Sequence, residues 1–471
     1  MKLSRCFSLL IAIVLVISLA ACATDPAPPP AGGGSAAAPA TPGGGAPAAV
    51  TPVTITMWSN DAHNRDEYFE TIENFHRTRG AELGITVEYT VHGGDWQQVL
   101  DVAIQAGQEP HIFKSQRTPM YVEMGRLFPI ADLPNGPDMI ASNEGLHQEG
   151  IGMINGVIYK IPLRVVTYGL IYNRELLAEV GFDRAPETWE ELVEAARLIT
   201  EAPGPAYGYA LPLPFANFPL HAIMPSAVVS SGQLHFDFRT GQYDFMSMAP
   251  FFNMVRQIVD DGSMFPGIES LDYDMLRAHF AEGNIGMYPG ASFDVGVLYD
   301  QFPARIDWGV APHPVPAGTQ RFRQNALPVA FFAISNRIIE ENVIEQTGIV
   351  YELFVSAEHL ALTYERGKDI PIRPDIVPMA GTPVRPQWID FANLDNTFNN
   401  PPFPEANFAI EGDTFYTIFS RIITGVVSVE AGLADLDTRY NAALQRAIND
   451  GTIDLDAILV HDWDNNVRFI P

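Results

Sequence analysis

The sequence has very little cysteine. Its 471 residues include two, Cys6 and Cys22, and both lie near the amino terminus. The rest of the chain therefore has no disulfide, no thiol nucleophile and no thiolate metal ligand. Its eleven histidines are scattered without the spacing of a metal site. We expect no metal and no cofactor.

Positive charge is also scarce. The chain has 28 Lys and Arg against 56 Asp and Glu, a formal net charge of −28. A protein this acidic lacks the basic surface that binds nucleic acid, and anionic lipid repels it. We expect no nucleic-acid partner, and attachment to a membrane would need an anchor.

The common catalytic motifs are missing. The chain contains no HExxH segment and no phosphate-binding P-loop. The segment "GASFD" has Gly290 and Ser292 but places Asp294 where a serine-nucleophile elbow needs a second glycine. A glycan-acting enzyme stays open as an alternative, because acids are plentiful enough to supply a carboxylate pair.

One apolar run lies at the start of the chain. Lys2 and Arg5 precede an almost wholly apolar stretch over residues 7–20, which is too short for a stable membrane span. It ends at Leu19-Ala20-Ala21-Cys22, which resembles the lipobox of bacterial lipoproteins. The resemblance implies a signal peptide over residues 1–21 and a lipid, including palmitate, at Cys22. A generic signal peptide in front of a cysteine is the alternative.

The next segment, residues 22–52, is rich in Ala, Pro and Gly. It has almost nothing to bury and cannot offset its chain entropy, so we predict a disordered linker. A flexible chain of this length spans roughly 30 Å on average.

The body begins with alternating strand and helix patterns. "VTITMWSND", "ITVEYTV" and "HIFKS" predict strands, and helices are expected between them. The first helix should stop at Gly80, and the second should bury Trp96 in the core. This order predicts an α/β fold with a parallel sheet, in which ligands gather at the carboxyl ends of strands. Later, "ALPVAFFAIS" predicts one strand buried on both faces.

Several segments in order resemble the maltose-binding-protein-like solute-binding proteins of sugar-type ABC importers. They are "AGQEP" (106–110), "YVEMGRLFPIADL" (121–133), "NGVIYKIPLRVVTYGLIYNRELL" (155–177), "PETWEELVEAARLIT" (186–200), "FAEGNIGMYPG" (280–290), "WGVAPHP" (308–314) and "ERGKDIPIRP" (365–374). The resemblance implies a two-lobe, class II periplasmic-binding-protein-like α/β fold with three hinge crossings. By motif placement, lobe 1 is 53–163 plus 312–371 and lobe 2 is 164–311 plus 372–471.

The resemblance places ligand contacts on the first lobe at the ends of its strands. Trp58 could stack on a sugar ring, and Asn60 and Asp61 could bind hydroxyls. The alternative is a core tryptophan with a polar turn behind it. Gln116 and Arg117 follow the third strand and match another contact position, although a solvated loop explains them equally well.

On the second lobe the resemblance points to Tyr168 and to the turn of Tyr288, Gly290 and Ser292. Many relatives have a tryptophan near this turn, but this chain has Ala291 and Ser292 there. Trp388 could supply the missing platform or could be packing.

Together these features predict a monomeric solute-binding lipoprotein that is not an enzyme. The resemblance implies that it binds a small solute, a carbohydrate by preference, in an interlobe cleft and delivers it to the permease of an ABC importer. It would be extracytoplasmic and held at the outer face of the cell membrane only by the lipid at Cys22. The same fold binding a peptide or a polyamine is the main alternative.

Overall fold

The structure is a computed structural model, and it describes residues 51–93, 95–150, 152–214, 218–232, 234–330, 332–394, 397–398 and 403–464. Cys22, the predicted signal peptide and most of the predicted linker lie outside the described residues.

The elements alternate between short strands and helices. The strands are β1 (Val53–Ser59), β2 (Ile85–Val91), β3 (Ile112–Lys114), β4 (Met153–Ile154), β5 (Val157–Ile158), β6 (Pro162–Val166), β7 (Tyr168–Asn173), β8 (Tyr207–Tyr209), β9 (Phe236–Asp237), β10 (Gln242–Tyr243), β11 (Ile285–Ala291), β12 (Trp308–Ala311), β13 (Gln324–Asn325), β14 (Leu327–Ala330), β15 (Phe332–Ile334), β16 (Ile370–Pro371) and β17 (Thr397–Phe398). The helices are α1 (Arg65–Arg77), α2 (Arg79–Leu83), α3 (Trp96–Ala106), α4 (Thr118–Glu123), α5 (Gly136–Ala141), α6 (Arg174–Glu179), α7 (Trp189–Glu201), α8 (Met224–Ser231), α9 (Ala249–Asp260), α10 (Tyr273–Ala281), α11 (Asp294–Asp300), α12 (Arg337–Glu340), α13 (Ile344–Val355), α14 (Ala357–Glu365), α15 (Pro386–Ala392), α16 (Phe415–Ile423), α17 (Val429–Asn449) and α18 (Leu455–Ile458).

The sheet of the first lobe has the strand order β15-β3-β1-β2. β1 runs parallel to β2 and β3, as the sequence predicts, and β15 is an antiparallel edge. Ile55 and Met57 of β1 are fully buried beneath α1 and α13, where Ile72 and Phe75 also pack. Trp96 is 5% exposed in a smaller cluster on the other face, which confirms it as a core residue.

The first helix does not stop at Gly80 as expected. The chain turns again into α2, and Gly84 closes it with a φ of 67°. Gly80 is needed for close packing, since a Cβ there would lie 2.9 Å from the Phe75 ring. The sequence pattern could not distinguish these two uses of glycine.

The second lobe is built on the sheet β12-β7-β11-β8. β7 lies antiparallel to both β11 and β12, whereas β8 is parallel to β11. Helices α7, α9, α16 and α17 contribute to its large hydrophobic cluster. This arrangement fixes the turn after β11 beside the start of β7, where Ser292 donates its backbone N–H to the Thr167 carbonyl at 2.9 Å.

A third sheet, β14-β6-β16, joins the two lobes. The central strand β6 pairs antiparallel with both β14 and β16. The three strands that cross between the lobes therefore lie side by side. The apolar run "ALPVAFFAIS" therefore forms two strands, β14 in this hinge sheet and β15 in the first lobe, instead of the single strand expected. A uniformly apolar segment does not show which sheet buries it.

Two segments differ from the lobe boundaries drawn by motif placement. Residues 313–325 lie against the second lobe, where Val315 donates its N–H to the Glu187 carbonyl at 3.1 Å and β13 pairs with β17. Ile376 packs in the first lobe's cluster, although it follows the third crossing. The remaining boundaries stay a prediction.

Candidate ligand-binding site

The loop after β1 is held by hydrogen bonds from its own neighbours. The Ser59 hydroxyl pairs with the Tyr89 hydroxyl at 2.6 Å and accepts the backbone N–H of Asp61 at 3.0 Å. This turn fixes Asn60 and Asp61 at the carboxyl end of a parallel strand, the usual place for a ligand. The buried Oδ1 of Asn60 has no hydrogen-bond partner among the described residues.

Asp61 is a buried, paired carboxylate. Its side chain accepts from Lys114 Nζ at 2.5 Å and lies 3.5 Å from Arg164 Nη2. Burial alone would raise the pKa of Asp61, but the charges of Lys114 and Arg164 outweigh it and lower the pKa. Asp61 is therefore ionised at neutral pH.

Arg164 connects this loop to the hinge. It lies on β6, is 4% exposed, and its guanidinium donates to Asp369, which precedes β16. Asn64 also donates to Asp369, at 2.5 Å. Burial would raise the pKa of Asp369, but Arg164 and His63 together lower it. One arginine thus pairs with two buried carboxylates, from the β1 loop and from the third crossing.

His63 lies where the lobes meet. Its Nε2 is 3.7 Å from Asp369 Oδ1, yet burial dominates and lowers the pKa of His63. The imidazole is therefore neutral at pH 7. It adds a polar ring to the site but no charge.

The second lobe opposes this loop with aromatic rings. The His221 ring lies 5.3 Å from that of Tyr168, 5.4 Å from that of Tyr273 and 5.3 Å from that of Phe293, centroid to centroid. The Phe293 ring in turn lies 6.3 Å from His63 of the first lobe. We call Tyr168, His221, Tyr273 and Phe293 the aromatic wall.

Asp294 anchors the turn beneath this wall. It accepts from Arg277 Nε at 2.8 Å and Nη2 at 2.6 Å, and from the Tyr273 hydroxyl at 2.7 Å. It also accepts the backbone N–H of Ala291 at 2.8 Å. Gly290 is required here, because a Cβ would lie 2.3 Å from the Ile171 side chain. The aspartate that breaks the nucleophile-elbow pattern thus has a structural role.

The lobes also meet through a second charged group. Lys368 Nζ donates to the His63 carbonyl at 2.6 Å and to Asp300 of α11 at 2.5 Å, and it lies 3.7 Å from Glu67. Gly296 of α11 faces this contact, since a Cβ there would lie 3.4 Å from Lys368. Lys368 is therefore a buried lysine with two carboxylate neighbours.

Trp58, Gln116 and Arg117 are all at least partly accessible. The Trp58 ring is partly buried and lies 4.6 Å from that of His92. Gln116 and Arg117 are exposed, and Arg117 Nη1 pairs with Asp101 at 2.7 Å. The structure thus brings Trp58, Asn60 and Asp61 together, while Arg117 has an acidic partner on α3.

Two predicted contacts of the second lobe are fully buried. Tyr288 has no exposed surface and packs on Phe280 at 5.0 Å. Trp388 is also unexposed and lies 6.3 Å from Tyr364. Of the two interpretations of Trp388, the structure supports packing, because a ring with no exposed surface cannot stack on a ligand. Within the aromatic wall, Tyr168, His221 and Tyr273 are buried and Phe293 is partly exposed, and the neighbouring Ser292 is 3% exposed.

The sequence did not reveal Lys114, Arg164, Asp369 or His221 as part of this site. A signal existed for Arg164, a lone charge inside the apolar strand "IPLRVV". Buried arginine is rare unless it is paired. The identity of its partners depends on a fold that brings positions 61 and 369 together.

Two further classes of site do not occur within the described ranges. There, no group of three or more His, Cys, Asp and Glu side chains could hold a metal ion. Across the same residues, no helix is both long and apolar enough to cross a membrane.

The chain shares sequence similarity with known binding proteins. It is 24% identical over 166 residues to a putative binding protein of Brucella abortus, covering 35% of this chain and 39% of that one. It is 25% identical over 156 residues to the diacetylchitobiose binding protein DasA of Streptomyces coelicolor, covering 31% and 34%. The matches therefore span well under half the length of these curated relatives.

Solved structures share the fold over a longer stretch. The GacH receptor of Streptomyces glaucescens superposes with a TM-score of 0.66 at 18% identity, covering 84% of this chain and 99% of that one. A family model described as bacterial extracellular solute-binding protein matches residues 77–340, more than half of the chain. The chain therefore belongs to the bacterial extracellular solute-binding proteins.

Proposed function

We propose that the protein captures a carbohydrate between its lobes and delivers it to an ABC permease without chemical change. The partly exposed ring of Phe293 on the second lobe, which lies beside the polar groups around His63 on the first lobe, supports this most. Sugar rings present an apolar face that packs on aromatic side chains, and their hydroxyls bond to charged and amide groups. The Streptomyces coelicolor relative is a diacetylchitobiose binding protein, which agrees with a saccharide ligand.

The charge distribution argues against a polyamine. Asp61, Asp369 and Asp294 each have a cationic partner within the protein. A polyamine would need carboxylates free to receive it, because burying an unpaired ammonium group is costly. The same fold binding a peptide remains the second candidate, since the partly accessible Asn60 amide suits a peptide backbone as well as a hydroxyl.

Asp61 and Asp369 do not fit the general acid of a glycosidase. Such an enzyme needs one carboxylic acid that is protonated at working pH. The cationic neighbours of Asp61 and Asp369 lower the pKa of both carboxyl groups. Both are held as carboxylates, and neither can donate a proton to a leaving group.

Ligand screening on the purified body, residues 53–464, tests this function. A bound ligand raises the free energy of unfolding by about 2.7 kcal/mol at a hundredfold excess over Kd. We expect thermal shifts with mono- to tetrasaccharides and none with spermidine or short peptides. Shifts confined to peptides or polyamines, or turnover of a bound saccharide, would overturn the proposal.

We also propose that the protein is lipid-anchored at Cys22 on the outer face of the cell membrane. The lipobox-like segment and the following linker support this, and the net charge of −28 means that electrostatics alone would not hold it there. Cys22→Ser should move the full-length protein from the membrane fraction to the soluble fraction. Cys6→Ser is the matched control and should leave fractionation unchanged. A Cys22→Ser protein that still sediments with membranes would refute the anchor.

A further inference from the structure

Among the residues that the structure describes, one buried lysine in this region has no carboxylate partner. Lys160 is 6% exposed and lies just before Pro162, the first residue of the hinge strand β6. Its Nζ donates to the Ser115 carbonyl at 3.1 Å. Among the described residues it forms no ion pair, whereas Lys114 has Asp61 and Lys368 has Asp300.

Lys160 lies at the same sheet edge as the candidate site. Ser115 follows β3, so the carbonyl that Lys160 contacts is at the carboxyl end of that strand. Burial lowers the pKa of Lys160, and the positive charge of the neighbouring Lys114 lowers it further, to about 8. Lys160 is still mostly protonated at pH 7.

Within the described part of the chain, Lys160 differs from the other cations at this edge in lacking a carboxylate contact. Lys114 and Arg164 lie beside Asp61 and Asp369, whereas Lys160 contacts a carbonyl oxygen. His63 supplies no charge, because its lowered pKa leaves it neutral. A buried ammonium with one carbonyl acceptor has two N–H donors left, and it is costly without a counter-charge.

We propose that Lys160 receives an anionic group of the bound saccharide, so that the ligand is an acidic sugar instead of a neutral one. A carboxylate, as in a uronic acid, would give Lys160 a counter-charge and accept hydrogen bonds from its remaining N–H groups. A sugar phosphate offers the same chemistry. This inference rests on the proposed carbohydrate function and specifies the substrate class of that site.

The test compares matched probes by calorimetric titration of the purified body. Digalacturonate and galactobiose differ in their carboxylates, and glucose 6-phosphate and glucose differ in their phosphate. We expect wild type to bind at least one anionic member tenfold or more tightly than its neutral counterpart. The arm that shows the preference identifies the anion as carboxylate or phosphate. Lys160→Met should reduce the ratio to near one, and Lys160→Arg should restore part of it.

Lys368→Met is the control, since it removes a buried lysine that already has carboxylate neighbours. Its affinities for the two members of a pair should change in parallel and keep their ratio. Wild type binding neutral and anionic probes equally, or Lys160→Met retaining the preference, would overturn the inference while the carbohydrate function stands. Wild type binding none of the saccharides, in this test and in the wider screen, would instead refute the proposed function. A cooperative thermal melt at or above the wild-type melting temperature shows that the Lys160→Met variant is folded.

Discussion

The two lobes present different chemistry to the same space. The first lobe offers charged groups, the buried Asp61 and Lys160 and the partly buried Lys114, while the second offers the aromatic wall, of which Phe293 is partly exposed. Charges fix where polar groups of a ligand sit, because displacement breaks directional bonds. Rings contribute contact area with little directional demand. For the proposed carbohydrate ligand, the comparison predicts that selectivity resides mainly in the first lobe and that the second lobe supplies affinity that varies less between sugars.

Removing the central charge of the first lobe should have the largest effect. Arg164→Met leaves Asp61 and Asp369 buried without their shared partner, so we expect the free energy of unfolding to fall by about 3–5 kcal/mol. Urea denaturation measures this. Arg174→Met is the control, because Arg174 pairs with Asp307 at the surface, and its loss should cost about 0–1 kcal/mol. Equal losses of unfolding free energy in both variants would contradict the prediction, because the buried pairs would then contribute no more to stability than a surface pair.

Lys160→Met should act in the opposite direction. The pKa of Lys160 falls from its ordinary value of 10.5 to about 8 on folding, which corresponds to about 3 kcal/mol of lost stability at neutral pH. Between these values the unfolded chain binds more protons, so wild-type stability should rise from about pH 8 to pH 10.5. The variant should be more stable at pH 7 and should lack this rise. Denaturation across that pH range measures both; a variant less stable than wild type at pH 7 would contradict the prediction.

Trp58→Ala should separate affinity from stability. Loss of a ring at the ligand should weaken saccharide binding by about 1–3 kcal/mol, with a smaller loss of unfolding free energy because the ring is only partly buried. Trp96→Ala in the same small cluster should do the reverse and cost about 3–5 kcal/mol of stability. Calorimetric titration and thermal melts give the two values. If Trp58→Ala destabilises the protein as much as Trp96→Ala and leaves affinity intact, Trp58 is a core residue.

The sequence predicted local structure better than the site. Alternating apolar residues located β1, β2 and β3 correctly, since their periodicity depends on neighbours along the chain. Arg164 pairs with Asp61 and Asp369, which lie far from it in the sequence, and no local pattern encodes such a pairing. Trp388 is a second residue whose environment the sequence did not predict. The fold buries it completely, and an aromatic residue near a proline carries no local signal of burial.

The hinge sheet also determines how the polypeptide is divided between the lobes. A single backbone cut after Gly318 would leave β1 to β3 on one fragment and their sheet neighbour β15 on the other. In the second lobe, likewise, α9 and β11 would part from α16 and α17. Each lobe would then be assembled from both fragments, with β14 and β16 still paired to β6. The lobes are interwoven by the chain, so proteolytic nicking there would yield two pieces that stay associated instead of two separate lobes.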